Sequence, residues 1–319
     1  MNQKSGRLML EVRGLNKRFG QVRAVNDLNF EVRRGEVFGF LGPNGAGKST
    51  TMRVITCFIP PTSGSVLVDG MDTAERDLDV RRKIGYLPES TPLYSDMTVR
   101  EYLSFVGRVR GLGADRLKPR VDEMFSVCAL SKMADRQIGR LSKGYRQRVG
   151  LAQAMIHNPD LLILDEPMSG LDPNQIIEIR NLIKKVGEEK TVIYCSHILS
   201  EVAATCDRIL IINDGRIVAT GTPDELTSGH RSGSQYTMRV RAGKEAATAA
   251  LAATTGVSGV DIDEARDGWL NARVASAGKD DIGEALFNCA VQNGWGLSEL
   301  RRDHTSLEEV FTQLTRSAQ

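Results

Sequence analysis

Residues 36–50 read EVFGFLGPNGAGKST. The apolar run EVFGFL has the length and composition of a strand, and TTMRVITCF at 50–58 has helical periodicity. Between them lies Gly42-x4-Gly47-Lys48-Ser49, the pattern of a phosphate-binding loop. Such a loop needs glycines so that the backbone can turn its N–H groups inward around phosphate oxygens. The helix that follows adds its positive end. Gly42, Pro43, Asn44, Gly45, Ala46, Gly47, Lys48, Ser49 and Thr50 are therefore the candidate cradle. Lys48 has the reach for β- and γ-phosphates, and the Ser49 hydroxyl suits Mg²⁺. The alternative, a fortuitous glycine-rich turn, is disfavoured by the strand before and the helix after.

A second element of the same chemistry lies further on. LLIL at 161–164 reads as a strand buried on both faces, as does TVIYCS at 191–196, the pattern of a parallel sheet. Asp165-Glu166 follows directly on LLIL, which puts two carboxylates at the C-terminal edge where α/β sheets bind ligands. Asp165 fits a Mg²⁺ role, direct or one layer removed, and Glu166 fits a general base that orients water. An acidic pair after a strand is often only a solvated loop start. Joined to the phosphate loop, it carries weight.

Around this nucleus the chain divides. LMLEVRGL, AVNDLNFEV and EVFGFL between 8 and 41 read as strands broken at Gly20 and Gly35, and Pro60 and Pro61 are expected to stop the first helix. From about 97 to 157 the pattern is helical, with Tyr102, Leu103, Val106 and Val109 expected on one face and arginines elsewhere. TSGHRSGSQ at 227–235 has linker composition. Beyond it, QYTMRVRA, KEAATAALAAT, GVDID, WLNARVAS, KDDIGEALFNCAVQ and WGLSELRR give the order βαββαβ of a small ferredoxin-like domain. A last helix is expected at Leu307, Val310, Phe311 and Leu314, with Ser306 and Glu309 at capping-box spacing.

Composition narrows the classes. Lys plus Arg is 42 against Asp plus Glu 40, a balance that gives no support to nucleic acid as the main ligand. Cys57, Cys128, Cys195, Cys206 and Cys289 are scattered with no CxxC pair, as small buried hydrophobes in a reducing compartment are. No apolar run approaches the roughly 20 residues of a membrane span, and MNQKSGRLMLEVRG lacks a signal-peptide core. A cytoplasmic protein is expected, with any spanning helices supplied by another chain.

The phosphate loop, LSKGYRQR at 141–148, LLILDEP, SGLDP at 169–173 and CSH ending at His197 resemble, in order and spacing, the ATP-binding cassette (ABC) ATPases over roughly residues 8–230. The resemblance implies an α/β fold, a P-loop NTPase ABC cassette with a mixed sheet core and a helical subdomain at about 90–160, spanning 1–230. The small C-terminal α+β ferredoxin-like domain would occupy 231–319. It implies that Phe19 stacks on adenine, although the residues alone allow a core aromatic there. His197 would contact the γ-phosphate, and Asp172 would lie in the loop linking two sites of a dimer. Ser142 and Gly144 would offer a hydroxyl and an N–H to a phosphate. Three positions depart from the family pattern: Glu89 in IGYLPE stands for the usual glutamine, Lys143 for a glycine and Tyr145 for an amide. Glu89 keeps a capacity to hold Mg²⁺ or position water, and adds negative charge near Asp165 and Glu166.

LPESTPLYSDMTVREYL, LSKGYRQR and the C-terminal SLEEVF are similar to separate ATPase subunits of bacterial export-type systems, gliding-motility-associated and drug exporters among them. The expected function is thus an ATP-hydrolysing subunit, using ATP and Mg²⁺, that drives a polytopic membrane permease from the inner face of the membrane. A second ABC ATPase, here a second copy, would complete its sites head-to-tail. The permease would dock on the helical segment at 90–130, beside Glu89. The competing reading is a soluble non-transport ABC ATPase of DNA repair or translation. The short stretch between Lys48 and Ser142, the single cassette and the charge balance speak against it.

Overall fold

The computed structural model describes residues 6–229, 235–264, 266–278, 280–303 and 311. Its elements fall into two compact units, one ending at Pro223 and the next beginning at Asp224.

The first unit opens with the strands β1 (Leu8–Phe19) and β2 (Val22–Arg33), then β3 (Val37–Leu41), helix α1 (Lys48–Ile55), β4 (Ser63–Val68), β5 (Met71–Asp72), α2 (Asp77–Lys83) and β6 (Ile84–Leu87). The helices α3 (Val99–Val109), α4 (Ala114–Val127) and α5 (Lys143–Met155) follow. The chain then alternates through β7 (Leu161–Asp165), α6 (Pro173–Gly187), β8 (Thr191–Ser196), α7 (Leu199–Ala203), β9 (Arg208–Asn213) and β10 (Arg216–Gly221), and α8 (Pro223–Gly229) lies, after its first residue, in the second unit.

Two sheets result. One is antiparallel, in the order β2-β1-β4-β5, and the other is mixed, in the order β10-β9-β3-β8-β7-β6. Every residue of β3, β7 and β8 is buried, as continuous apolar runs in a parallel sheet require. The apolar faces of the two sheets share a core in which Phe30 stacks on Phe38 at 6.0 Å, with Met52 and Ile55 of α1 alongside.

Register is what places the chemistry. In the parallel pairing Leu41 lies level with Ser196, and Asp165 with Cys195. The phosphate loop, Glu166 and His197 therefore leave the sheet together at its C-terminal edge.

Three local expectations are corrected. Helix α1 ends at Ile55, before the prolines. Cys57 takes φ 57°, its N–H donates to the Val54 carbonyl, and the Phe58 N–H donates to the Arg53 carbonyl, so a left-handed turn closes the helix. Helix α3 buries Tyr102 and Leu103 as expected, together with Val99 and Gly107, while Val109 is 70% exposed, because Gly107 packed against Leu117 takes the buried place in the last turn. The linker-like stretch begins inside α8, which runs to Gly229.

The second unit contains β11 (Gln235–Arg241), α9 (Lys244–Ala252), β12 (Val257–Glu264), β13 (Trp269–Ser276), α10 (Gly283–Gln292) and β14 (Gly296–Asp303). Its antiparallel sheet has the order β12-β13-β11-β14, the ferredoxin-like arrangement. Tyr236, Met238, Val240, Ala272 and Val274 form one face and pack with Leu251 and Leu286 of the helices. The alanine-rich α9 buries only Ala247 and Leu251. The last expected helix lies outside the described residues, Phe311 excepted. Among the described residues no helix is long and apolar enough to cross a membrane. All five cysteines are free, four of them buried.

Candidate functional site

The loop from Gly42 to Gly47 is shaped by what cannot fit beside it. A Cβ at Gly42 would meet the Ile212 carbonyl oxygen at 2.4 Å. One at Gly47 would meet that of Ala24 at 2.5 Å, on a backbone with φ 102°. The loop is also stitched to the sheet, since the Gly42 N–H donates to the Ser196 carbonyl and the Ala46 N–H to that of Pro43. Helix α1 starts immediately after, so its free N–H groups face the space the loop encloses.

That space is a cleft of about 500 Å³ lined by Asn44, Gly45, Lys48, Ser49, Glu89, Glu166 and His197, among others. Lys48 is buried; its Nζ donates to the carbonyls of Gly42 at 2.8 Å and Pro43 at 3.1 Å and lies 3.8 Å from Glu166 Oε1. Glu166 is buried too, on a left-handed backbone (φ 50°) that a side chain adopts only when its surroundings enforce it. Its N–H donates to the Cys195 carbonyl at 2.9 Å. His197 Nδ1 reaches Glu166 Oε1 at 2.9 Å, and facing a carboxylate that nitrogen is the donor.

Asp165 ends β7 at 2% exposure, and its Oδ1 has no hydrogen-bond partner. Burial raises its proton affinity above the ordinary range; the Ser49 hydroxyl works against the shift, while Glu166 and Glu89 add to it. A buried carboxylate in this condition is a vacant acceptor for a cation.

The structure thus gathers Lys48, Ser49, Glu89, Asp165, Glu166 and His197 around one edge of the sheet. Phe19, at the end of β1, is 50% exposed with Lys17 Nζ 5.2 Å above its ring, which removes the core-aromatic reading. Ser142, Gly144 and Asp172 line no part of the cleft. They form a second cluster. Ser142 caps α5, accepting from the Tyr145 N–H, and Asp172 caps α6, accepting from the Gln175 N–H at 2.9 Å. Gly144 lies against the Gln175 amide, where a Cβ would stand 2.6 Å from its Oε1. Lys143 occupies the first position of α5, so its ordinary helical backbone tolerates the side chain, which lies over Gly170. Glu89 lines the cleft and also a separate groove of about 400 Å³ with Lys143, Arg146 and Gln147.

Sequence reasoning missed Ala24 and Ser169, which line the cleft, and Tyr194, Ser196 and Glu201, which stand behind Glu166. Ser169 lies inside the quoted SGLDP and Ser196 inside CSH. Nothing in the spacing of the others marks them, because the contacts that join them exist only in the fold.

A family model described as "ABC transporter" matches residues 25–169. The chain is 33% identical over 308 residues to the linearmycin resistance ATP-binding protein LnrL of Bacillus subtilis, covering 96% of this chain and 98% of that one. It is 35% identical over 311 residues to the daunorubicin resistance ATP-binding protein DrrA3 of Streptomyces coeruleorubidus, covering 96% and 95%. The dimeric, post-hydrolysis structure of the ATP-binding cassette MJ0796 with ADP and Pi superposes with a TM-score of 0.61 at 27% identity, over 67% of this chain and 98% of that one.

Proposed function

The chain belongs to the ABC transporter family, as an ATP-binding and ATP-hydrolysing subunit of the export type, and from that premise we propose how its own residues do the work. The reading rests on one observation: Lys48, Glu166 and His197 converge on a cleft whose floor is a glycine loop and a helix N-terminus. Loop N–H groups and Lys48 stabilise charge on the phosphoryl oxygens as the transition state loosens. Lys48 exchanges its present carbonyl partners for phosphate oxygens. Glu166 accepts a proton from the attacking water, and its strained backbone fixes where the carboxylate points. His197, already bonded to Glu166, holds water and γ-phosphate in register. Phe19, exposed at the end of β1, offers its ring to the adenine.

Ser49 and Asp165, with Glu89 at the rim, would hold Mg²⁺, an oxygen-only set suited to a hard cation and completed by phosphate. The unpartnered Asp165 Oδ1 supports this fit. Among the described residues no three His, Cys, Asp or Glu side chains gather into a metal site, so the remaining ligands of such an ion would have to come from the substrate. When bound, the ion supplies neutralisation of phosphate charge.

Ser142, Gly144 and Asp172 stand outside the cleft and remain available to the nucleotide held by a second copy. The proposed assembly is a head-to-tail homodimer beneath a polytopic permease at the inner face of the membrane. The permease would dock on the helical segment at 90–130. The resistance names of the two relatives support a drug-like cargo, carried by the permease.

The test is Glu166→Gln in purified protein with ATP and Mg²⁺. Turnover is expected to fall at least about a hundredfold, with a longer-lived ATP-bound dimer by size-exclusion chromatography. Wild-type turnover would remove Glu166 from the role of base.

A further inference from the structure

We propose that Glu201 is a positioning residue for hydrolysis: it draws the Ser196 hydroxyl proton to itself and so leaves one carboxylate oxygen of Glu166 free to accept from water. The inference rests on Glu166 being the general base.

Tyr194 and Ser196 alternate to the same face of β8, and the short helix α7 folds back to set Glu201 opposite both. The Tyr194 hydroxyl donates to Glu201 Oε2 at 2.8 Å, and Ser196 Oγ lies 3.2 Å from the same oxygen. Ser196 Oγ also lies 3.4 Å from Glu166 Oε2. All three residues behind Glu166 are buried. One lone pair of Ser196 Oγ is taken by the Ile198 N–H, which donates to it at 3.1 Å, and an ionised carboxylate has no proton to offer the other. Ser196 thus has one proton and two carboxylates competing for it.

Charge decides the competition. Glu166 has Lys48 at 3.8 Å and the His197 ring at 2.9 Å. Among the described residues no Lys, Arg or His forms an ion pair with Glu201; two hydroxyls are its side-chain donors. A buried carboxylate without a cation needs each hydrogen bond it can draw. The Ser196 proton is therefore worth more on Glu201, which is also the nearer acceptor. Glu166 Oε2 is then left facing a hydroxyl that gives it nothing. That oxygen keeps its lone pair for the water.

Glu201→Gln keeps the shape and reverses the logic. Tyr194 and Ser196 meet the same oxygen of Glu201, so the amide oxygen that replaces it faces both; being neutral it is a weaker acceptor than a carboxylate, and the Ser196 proton turns to the charged Glu166 Oε2. The expected result is a kcat about tenfold lower or more, with KM for ATP and nucleotide affinity unchanged. Adding Ser196→Ala to Glu201→Gln removes the misdirected proton and is expected to restore most of the lost kcat, which a merely structural role of Glu201 would not do. Glu201→Asp, a methylene shorter, is the second variant should the first not fold; it loses its hold on Ser196 and is expected to lose kcat in the same way. A wild-type kcat in Glu201→Gln or Glu201→Asp, whichever folds, or a double variant no faster than Glu201→Gln, overturns the proposal. Glu166→Gln measured alongside separates the two readings: if it retains turnover, the base assignment itself is wrong, and if it is inactive while Glu201→Gln is normal, only the positioning role is lost.

Discussion

His157 lies in the turn directly after α5, its ring Nε2 at 3.0 Å from the Ile84 carbonyl and its Nδ1 buried without a partner. Burial pushes its pKa down from 6.5 to about 4; Arg110 adds to the shift, and the bond to Ile84 opposes it. The folded protein therefore refuses a proton that the unfolded chain accepts between those two values. Its contribution to stability is intact above the unfolded pKa and is lost as the pH falls through the window towards the folded one. Urea midpoints are expected to drop between about pH 7.5 and about pH 5.5, and His157→Gln is expected to flatten that dependence. An unchanged slope in the variant would assign the loss to other groups. The same residue illustrates a limit of reading sequence. In HNPD a histidine looks like a loop residue, and only the parallel strand β6 beside it supplies the carbonyl that fixes its tautomer.

Among the elements, helix α3 carries the clearest start signal. Thr98 Oγ1 accepts from the Glu101 N–H at 3.3 Å, and Glu101 Oε2 accepts from the Thr98 N–H at 2.8 Å, a complete capping box. Thr98→Ala is expected to cost about 1 kcal/mol in equilibrium unfolding, with ATP affinity at the distant cleft unchanged. A loss of several times that size would mean the cap also anchors the loop before it, where Thr98 bridges to Gln137. The strands of the catalytic edge were legible because burial on both faces leaves an unbroken apolar run, and the phosphate loop because its glycines are demanded by backbone contacts. The end of α1 was not. A left-handed Cys57 has no sequence signature, whereas the prolines beyond it do and drew the boundary outward. The apolar spacing of α3 likewise carried its face on to Val109, where the packing of Gly107 against Leu117 ends it sooner. Ser196 and Glu201 were invisible for a different reason: each is unremarkable until α7 brings it against the other.

At the scale of the molecule, the cleft and the cluster of Ser142, Gly144 and Asp172 are separate features of one chain. If each nucleotide is shared, Ser142→Arg leaves a protein's own cleft intact and spoils the one it completes. A homodimer of that variant is expected to bind ATP yet lose turnover. Mixing it with Lys48→Ala, itself inactive, rebuilds one whole site in every mixed dimer, and partial turnover is expected to return. No recovery in the mixture, or normal turnover in Ser142→Arg alone, would exclude shared sites. The order of motifs made the cassette fold readable, and the βαββαβ pattern did the same for the second unit. Neither reveals the cargo, which the proposed function places with the permease. Glu89 adds a practical corollary. It forms part of the wall of both the nucleotide cleft and the groove beside Lys143 and Arg146. A small molecule seated in that groove would leave the ATP cradle open and still alter the field at Asp165. Inhibition of that kind would lower the maximal rate at saturating ATP, which no excess of nucleotide could reverse.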